Sequence, residues 1–120
     1  MHDVTHVEIP TRDLARAKRF YGKLFGWQFR DFDPGYALFD PKKGVGGGIY
    51  KVKSIPTKSP VRVYVGVANI DDTLKQVRAG GGKVLQPKAQ VPGMGWYASF
   101  RDPQGAELWL WQRAPRRRKR

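Results

Sequence analysis

The chain has 120 residues, 40% of them apolar and none of them cysteine, so one modest core can form while disulfides and thiol chemistry are excluded. Lys and Arg number 23 against 10 Asp and Glu, a formal net charge of +13, and six of the cations crowd at Arg113 and Arg116 to Arg120. No apolar run is long enough to cross a bilayer, and no basic segment followed by a hydrophobic one opens the chain, so the expectation is a cytoplasmic protein with no membrane partner.

In chain order, Val4 to Ile9 reads as a strand. An amphipathic helix follows, because Leu14, Ala17, Tyr21 and Leu24 recur at helical spacing, Thr11 and Asp13 favour its start and Gly26 its stop. Trp27 to Phe32, Tyr36 to Phe39 and Gly47 to Lys53 are three further strand-like runs. Then the order repeats. Val61 to Val67 reads as a strand, and Ile70, Leu74 and Val77 carry a shorter helical stripe. Asn69 is its expected N-cap, Asp71 and Asp72 complement its dipole, and Gly80 to Gly82 end it. Lys83 to Pro87, Trp96 to Arg101 and Glu107 to Gln112 complete the set. Phe20, Phe25, Trp27 and Phe100 are expected in the core and in sheet packing.

The halves are copies of one another. Tyr36-Ala37-Leu38-Phe39-Asp40-Pro41 returns sixty-one positions later as Tyr97-Ala98-Ser99-Phe100-Arg101-Asp102-Pro103, with Gly44 and Gly105 close behind. A repeat of about half the chain means that each half is one supersecondary unit needing its twin to bury an apolar face. A shift of 56 aligns the two helices and carries His6 to Arg62 and Glu8 to Tyr64.

Three segments invite other readings. Gly44-Val45-Gly46-Gly47-Gly48 lacks the Lys-Ser/Thr of a phosphate-cradling loop and precedes a strand, so it reads as a hairpin turn where backbones approach closely. Val91 to Trp96 reads either as a plain turn or as a lid over a cavity mouth. Residues 116–120 are too polar and self-repelling to pack, and read as a disordered basic tail that is solubilising or that contacts nucleic acid by counterion release. Nucleic-acid binding is not the favoured reading, because no zinc finger, helix-turn-helix or aromatic-basic strand signature accompanies the tail.

Several motifs together resemble the vicinal oxygen chelate superfamily, which includes glyoxalase I, bleomycin-resistance proteins and extradiol dioxygenases. They are His6-Val7-Glu8-Ile9-Pro10; Asp13-Leu14-Ala15-Arg16-Ala17-Lys18-Arg19-Phe20-Tyr21 with Leu24-Phe25-Gly26-Trp27; and Pro92-Gly93-Met94-Gly95-Trp96 leading to Phe100-Arg101-Asp102-Pro103-Gln104-Gly105. The likeness spans residues 4 to 112 and is nearest to small single-chain proteins related to lactoylglutathione lyase. It implies an α+β fold in which two tandem βαβββ modules, 4–53 and 61–113 within a single domain 1–115, form a curved mixed sheet around a cavity, often within a homodimer.

Strand alternation supplies the lining of that cavity without the resemblance, because the helices must cover one face of each sheet. Thr5, Val7 and Ile9 suit the helix side, as do Val63, Val65 and Val67, and Leu108 and Leu110. The residues left facing the hollow are His6, Glu8, Tyr50, Arg62, Tyr64, Trp109 and Trp111. The resemblance implies metal ligands at four symmetric corners, here His6, Gly48, Arg62 and Trp109, of which only the histidine coordinates. Glu8 and Glu107 point to roughly the same hollow but substitute only with a change of register, so neither a metal nor another cofactor is expected.

A site with one cation, one carboxylate, one histidine and aromatic walls suits a small molecule. Arg62 either anchors a ligand oxyanion or pairs internally with Glu8, while Tyr50, Tyr64 and Trp109 stack on the ligand body. His6 is either an acid–base group or a histidine hydrogen-bonded in place beside Glu8. Three functions follow: a metal-free binder of a small anionic or aromatic molecule; a glyoxalase-type lyase or isomerase using His6, Glu8 or Tyr64 for proton transfer; and a basic interaction protein working through its tail.

Overall fold

Asp13 and Gly26 bracket the first helix, as expected. In the computed structural model, which describes residues 2–56 and 61–115, α1 spans Leu14–Phe25. The extended Asp13 accepts a hydrogen bond from the Arg16 N–H at 3.0 Å, and Gly26 closes the helix in the left-handed region at φ 73°. The second helix, α2, spans Ile70–Ala79, with the Asn69 side chain accepting from the Asp72 N–H and the Gln112 side chain accepting from the Ile70 N–H. Its ending differs from the first: Gly80 keeps φ at −87°, and the left-handed step falls on Gly81.

The strands are β1 (Val4–Thr11), β2 (Gln28–Asp33), β3 (Tyr36–Asp40), β4 (Gly47–Lys51), β5 (Arg62–Gly66), β6 (Lys83–Val91), β7 (Gly95–Arg101) and β8 (Glu107–Arg113). Among the described residues, two helices and eight strands with mixed pairing make the class α+β, as the sequence predicts. The largest departure is β6, expected to stop at Pro87 but continuing to Val91. Proline has no N–H to give to a ladder. The pairing of β6 with β7 accordingly slips on either side of it, between Val84 and Gln86 and between Gln86 and Ala89, and then resumes. Only Pro92, Gly93 and Met94 then remain between β6 and β7, with the Met94 N–H bonded to the Val91 carbonyl, so this segment is a hairpin turn rather than a lid.

Two compact units divide the chain, one from Thr5 to Val63, the other from Tyr64 onward together with the first four residues. In the first, the strand order is β2-β3-β4-β1, with β1 parallel to β4 and the other pairs antiparallel. In the second, it is β6-β7-β8-β5, with β5 parallel to β8. The duplication read from sequence holds at the level of register. Leu38 faces Gly48 as Ser99 faces Trp109, Tyr36 faces Tyr50 as Tyr97 faces Trp111, and Glu8 faces Gly48 as Tyr64 faces Trp109.

Each unit has its own core beneath its helix. Ala17, Phe39 and Ile49 are buried in the first, supported by Ile9, Leu14, Tyr21, Trp27 and Phe29, and the Trp27 and Phe39 rings stack with centroids 4.1 Å apart. Val67, Ile70, Leu74, Ala98 and Leu110 fill the second, with Val65, Val84, Trp96 and Phe100 against them. Two aromatic side chains expected in the core are not there: Phe20 and Phe25 are 59% and 56% exposed. The inward stripe of α1 is Leu14, Ala17 and Tyr21. Phe20 lies off that stripe, touching Tyr21 edge-on, and Phe25 in the last turn is covered on one side by the Tyr21 and Trp27 rings. Leu24, read as part of the stripe, is likewise exposed.

Gly47 marks the closest backbone approach in the first unit, since a Cβ there would overlap the Val7 carbonyl oxygen and lie 2.9 Å from the Phe39 ring. Gly47→Ala is therefore expected to cost about 1–3 kcal/mol through overpacking. Urea unfolding of the variant beside the wild type measures it, and an unchanged midpoint would contradict this packing.

Candidate functional site

The open face of the first unit follows from alternation. Ile9, Ile49 and Phe39 turn toward α1, which leaves Glu8, Gly48 and Leu38 as a row on the opposite face, with Pro10, Tyr50 and Tyr36 as the next row. Gly48 has no side chain to contribute, and the Tyr36 ring takes the space above it: a Cβ at position 48 would overlap the Tyr36 hydroxyl.

That hydroxyl organises the polar residues. It donates to Glu8 Oε2 at 2.7 Å and lies 2.7 Å from His6 Nε2. A phenol has one proton to give, and Tyr36 gives it to the carboxylate, so toward His6 its oxygen accepts and Nε2 carries the hydrogen. His6 Nε2 and Glu8 Oε2 are 3.8 Å apart, bridged by this oxygen. The histidine is thus held beside Glu8 through an intermediary that the sequence reading did not include. Burial pushes the His6 pKa below its ordinary value of 6.5, and the Glu8 charge offsets this only in part.

Arg62 meets the other oxygen of the same carboxylate, with NH1 3.5 Å from Glu8 Oε1, and its guanidinium lies 4.4 Å above the centre of the Tyr50 ring. Internal pairing with Glu8, one of the two readings of this arginine, is therefore present. At 3.5 Å the contact is longer than a charge-assisted hydrogen bond, so it is an ion pair held partly by the aromatic face beneath it. The carboxylate is 12% exposed and the arginine side chain 35%. An open hollow of about 490 Å³ borders His6, with Arg30, Leu38 and Lys42 on its walls.

The second unit gathers the remaining aromatic residues. Tyr64 faces Trp109 across β5 and β8 with ring centroids 5.5 Å apart, and Tyr97 lies 6.1 Å from the same indole. Trp111 pairs with Tyr97 and Gly66 in register, and its ring lies over Gly95, where a Cβ would come within 2.9 Å of Cζ2. Tyr64, named with His6 and Glu8 for proton transfer, is 6% exposed and stacked against Trp109.

Of the seven residues expected to line one hollow, His6, Glu8, Tyr50 and Arg62 lie in one unit and Tyr64, Trp109 and Trp111 in the other, and Tyr36, which bridges His6 and Glu8, was not among them. Its signal was present but served another purpose, since Tyr36 entered as the marker of the repeat. Alternation alone puts it opposite Ala37 and Phe39, and a glycine at the aligned position 48 leaves room for a ring.

These side chains do not fit a divalent ion. A catalytic metal usually takes three protein ligands, and among the described residues no group of three or more His, Cys, Asp or Glu converges. His6 and Glu8 are neighbours, but the space between them holds the Tyr36 oxygen, Gly48 offers no donor, and Arg62 brings a positive charge.

Comparison with known proteins agrees with this architecture. Residues 3–110 match the model of the Glyoxalase/Bleomycin resistance protein/Dioxygenase superfamily. The Mycobacterium tuberculosis protein named "Putative glyoxylase CFP32" is 30% identical over 123 aligned residues, which cover 88% of this chain and 44% of that one, so the chain spans less than half the relative's length. A "Glyoxylase-like domain-containing protein" of Didymella fabae is 30% identical, with 85% of this chain and 87% of the other covered. Among solved structures, methylmalonyl-CoA epimerase from Mycobacterium tuberculosis superposes with a TM-score of 0.74 at 16% identity, covering 93% of this chain and 88% of that one; at such identity the likeness concerns the fold alone.

The depressed pKa of His6 makes a signed prediction. Below pH 6.5 the unfolded chain binds a proton at this histidine more readily than the folded one, so His6 withdraws stability as the pH falls from 6.5 toward its folded value. Replacing it by Gln should flatten the pH dependence of stability on the acid side of 6.5. Urea unfolding at pH 7.5 and 5.5 measures the difference, and an unchanged slope would contradict a desolvated, neutral His6.

Proposed function

The chain belongs to the Glyoxalase/Bleomycin resistance protein/Dioxygenase superfamily, and from that premise we propose that it binds a small anionic or aromatic molecule on the open face carrying His6, Glu8, Tyr36, Tyr50 and Arg62, without the metal ion that the superfamily resemblance implies. The observation behind this reading is the state of Arg62. Its guanidinium is laid on Tyr50, one-third exposed, and opposed by a carboxylate too distant for a short hydrogen bond. An incoming carboxylate or phosphate can approach the guanidinium in a bidentate manner and compete with the Glu8 carboxylate for it. Arg30 and Lys42, opposed by the single carboxylate of Asp40, leave the hollow beside His6 with an excess of positive charge that likewise favours an anionic ligand. Tyr50 on the same face offers stacking surface for an apolar or planar body.

A second reading is supported by the hydrogen-bonded series His6, Tyr36 and Glu8. Such a series moves protons, and an isomerase or lyase of glyoxalase type would use it for proton transfer. Exchange of a carbon-bound hydrogen of a candidate substrate with deuterated solvent, abolished by Glu8→Gln, would favour this reading over plain binding.

Benzoate and benzamide, titrated by chemical-shift perturbation, test the binding reading. Arg62→Ala is expected to weaken benzoate about tenfold, roughly 1.4 kcal/mol, and benzamide little. Tyr50→Ala should weaken both. Because Glu8 loses the Arg62 charge in Arg62→Ala, a thermal melt accompanies each titration, and a modest drop in melting temperature is expected for that variant. Unchanged benzoate affinity in folded Arg62→Ala would remove the cationic anchor.

A further inference from the structure

We propose that the Tyr36 hydroxyl is a built-in occupant of the position a divalent ion would need, and that Tyr36 and Gly48 act as a pair to keep this site free of metal. The inference rests on the metal-free reading above and assigns it to two residues. The geometry carries it. The Tyr36 oxygen is 2.7 Å from His6 Nε2 and 2.7 Å from Glu8 Oε2, and these two atoms are 3.8 Å from each other. The lines from the oxygen to its two neighbours meet at close to a right angle, the arrangement of adjacent donors around an octahedral ion. A neutral hydroxyl thus stands where a cation would draw nitrogen and carboxylate together. It does so through hydrogen bonds that are longer, by about 0.5 Å, than metal–ligand bonds of roughly 2.0–2.2 Å.

The second half of the argument is Gly48. Tyr36 reaches between His6 and Glu8 only because position 48 has no side chain, since a Cβ there would overlap the tyrosine's hydroxyl and the ring carbon that bears it. A coordinating side chain at 48 and the bridging hydroxyl of Tyr36 are therefore mutually exclusive. One glycine both withdraws a donor and admits the group that fills the gap. The register makes the pairing local, because Gly48 lies between Glu8 on β1 and Leu38 on β3, two residues along β3 from Tyr36. Tyr36 is on this account a positioning residue. It orders His6 and Glu8 with no ion present.

Calorimetric titration with Ni²⁺ tests the proposal on the full chain. The wild type should show no saturable binding at His6. The double variant Tyr36→Ala/Gly48→Glu removes the occupant and supplies a third ligand beside His6 and Glu8, and should bind about one ion per chain at least about 100-fold more tightly than the wild type. Adding His6→Ala to the double variant should abolish that gain. Stoichiometric Ni²⁺ binding by the wild type, lost on His6→Ala, would overturn the proposal. So would a double variant that is folded by circular dichroism yet gains nothing, which would make the Arg62 charge, 3.5 Å from Glu8, the excluding element.

Milder variants keep the test decisive if the double variant does not fold. Gly48→Ala and Tyr36→Phe each remove the bridge, the first by displacing the ring and the second by deleting the oxygen, so both should shift the His6 ring resonances in the same direction. A Gly48→Ala spectrum with His6 unmoved would overturn the coupling. Absence of benzoate binding alongside the expected metal titration would remove the ligand reading and leave this one intact.

Discussion

A phenolic oxygen placed between an imidazole nitrogen and a carboxylate sets the character of this protein's polar face. Histidine, carboxylate and guanidinium crowded on one side of a small sheet would be costly to desolvate if each sought water separately. Here the groups satisfy one another in sequence: His6 donates to Tyr36, Tyr36 donates to Glu8, and Glu8 attracts Arg62, which lies on Tyr50. Burial lowers the His6 pKa, which favours the neutral imidazole in that series, while the Glu8 charge partly opposes it. Removing any one member takes a partner from its neighbours, so the residues that give the face its chemistry also give it its shape.

The duplication allows the two solutions to one geometric problem to be compared within a single chain. Position 48 and position 109 are equivalent by register, each facing the first strand of its unit and the middle strand of its hairpin. In the first unit the corner holds glycine and borrows the tyrosine from β3. In the second it holds an indole, and the equivalent tyrosine, Tyr97, lies against that indole rather than in its place. Space not filled by one strand is filled by the next. The repeats have thereby diverged into a hydrogen-bonded half and an aromatic half while keeping the same pairing of backbone.

Most of the fold was legible because it rests on short-range rules. The caps at Asp13, Gly26 and Asn69, the inward stripes and the offset of 61 between hairpins all follow from local chemistry and repetition. The site was legible to the extent that alternation decides faces, which placed His6, Glu8, Tyr50 and Arg62 together. Tyr36 was hidden because its role depends on the emptiness of a residue on a different strand, a relation that spacing along the chain does not express. Phe20 and Phe25 misled for a related reason: hydrophobicity says that a ring gains from burial, but the width of α1 that its sheet can cover decides which rings achieve it.

The proline within β6 bears on how the molecule behaves among its own copies. Among the described residues β6 pairs on only one side, and an outer strand of nine residues is a template on which another chain can align. Pro87 withholds one donor, the slipped pairing around it breaks the spacing of the rest, and Lys83 and Lys88 bring positive charge to the same strand. A foreign strand would find no uninterrupted ladder to join, so the length that lets β6 complete its sheet is kept from becoming a route to aggregation.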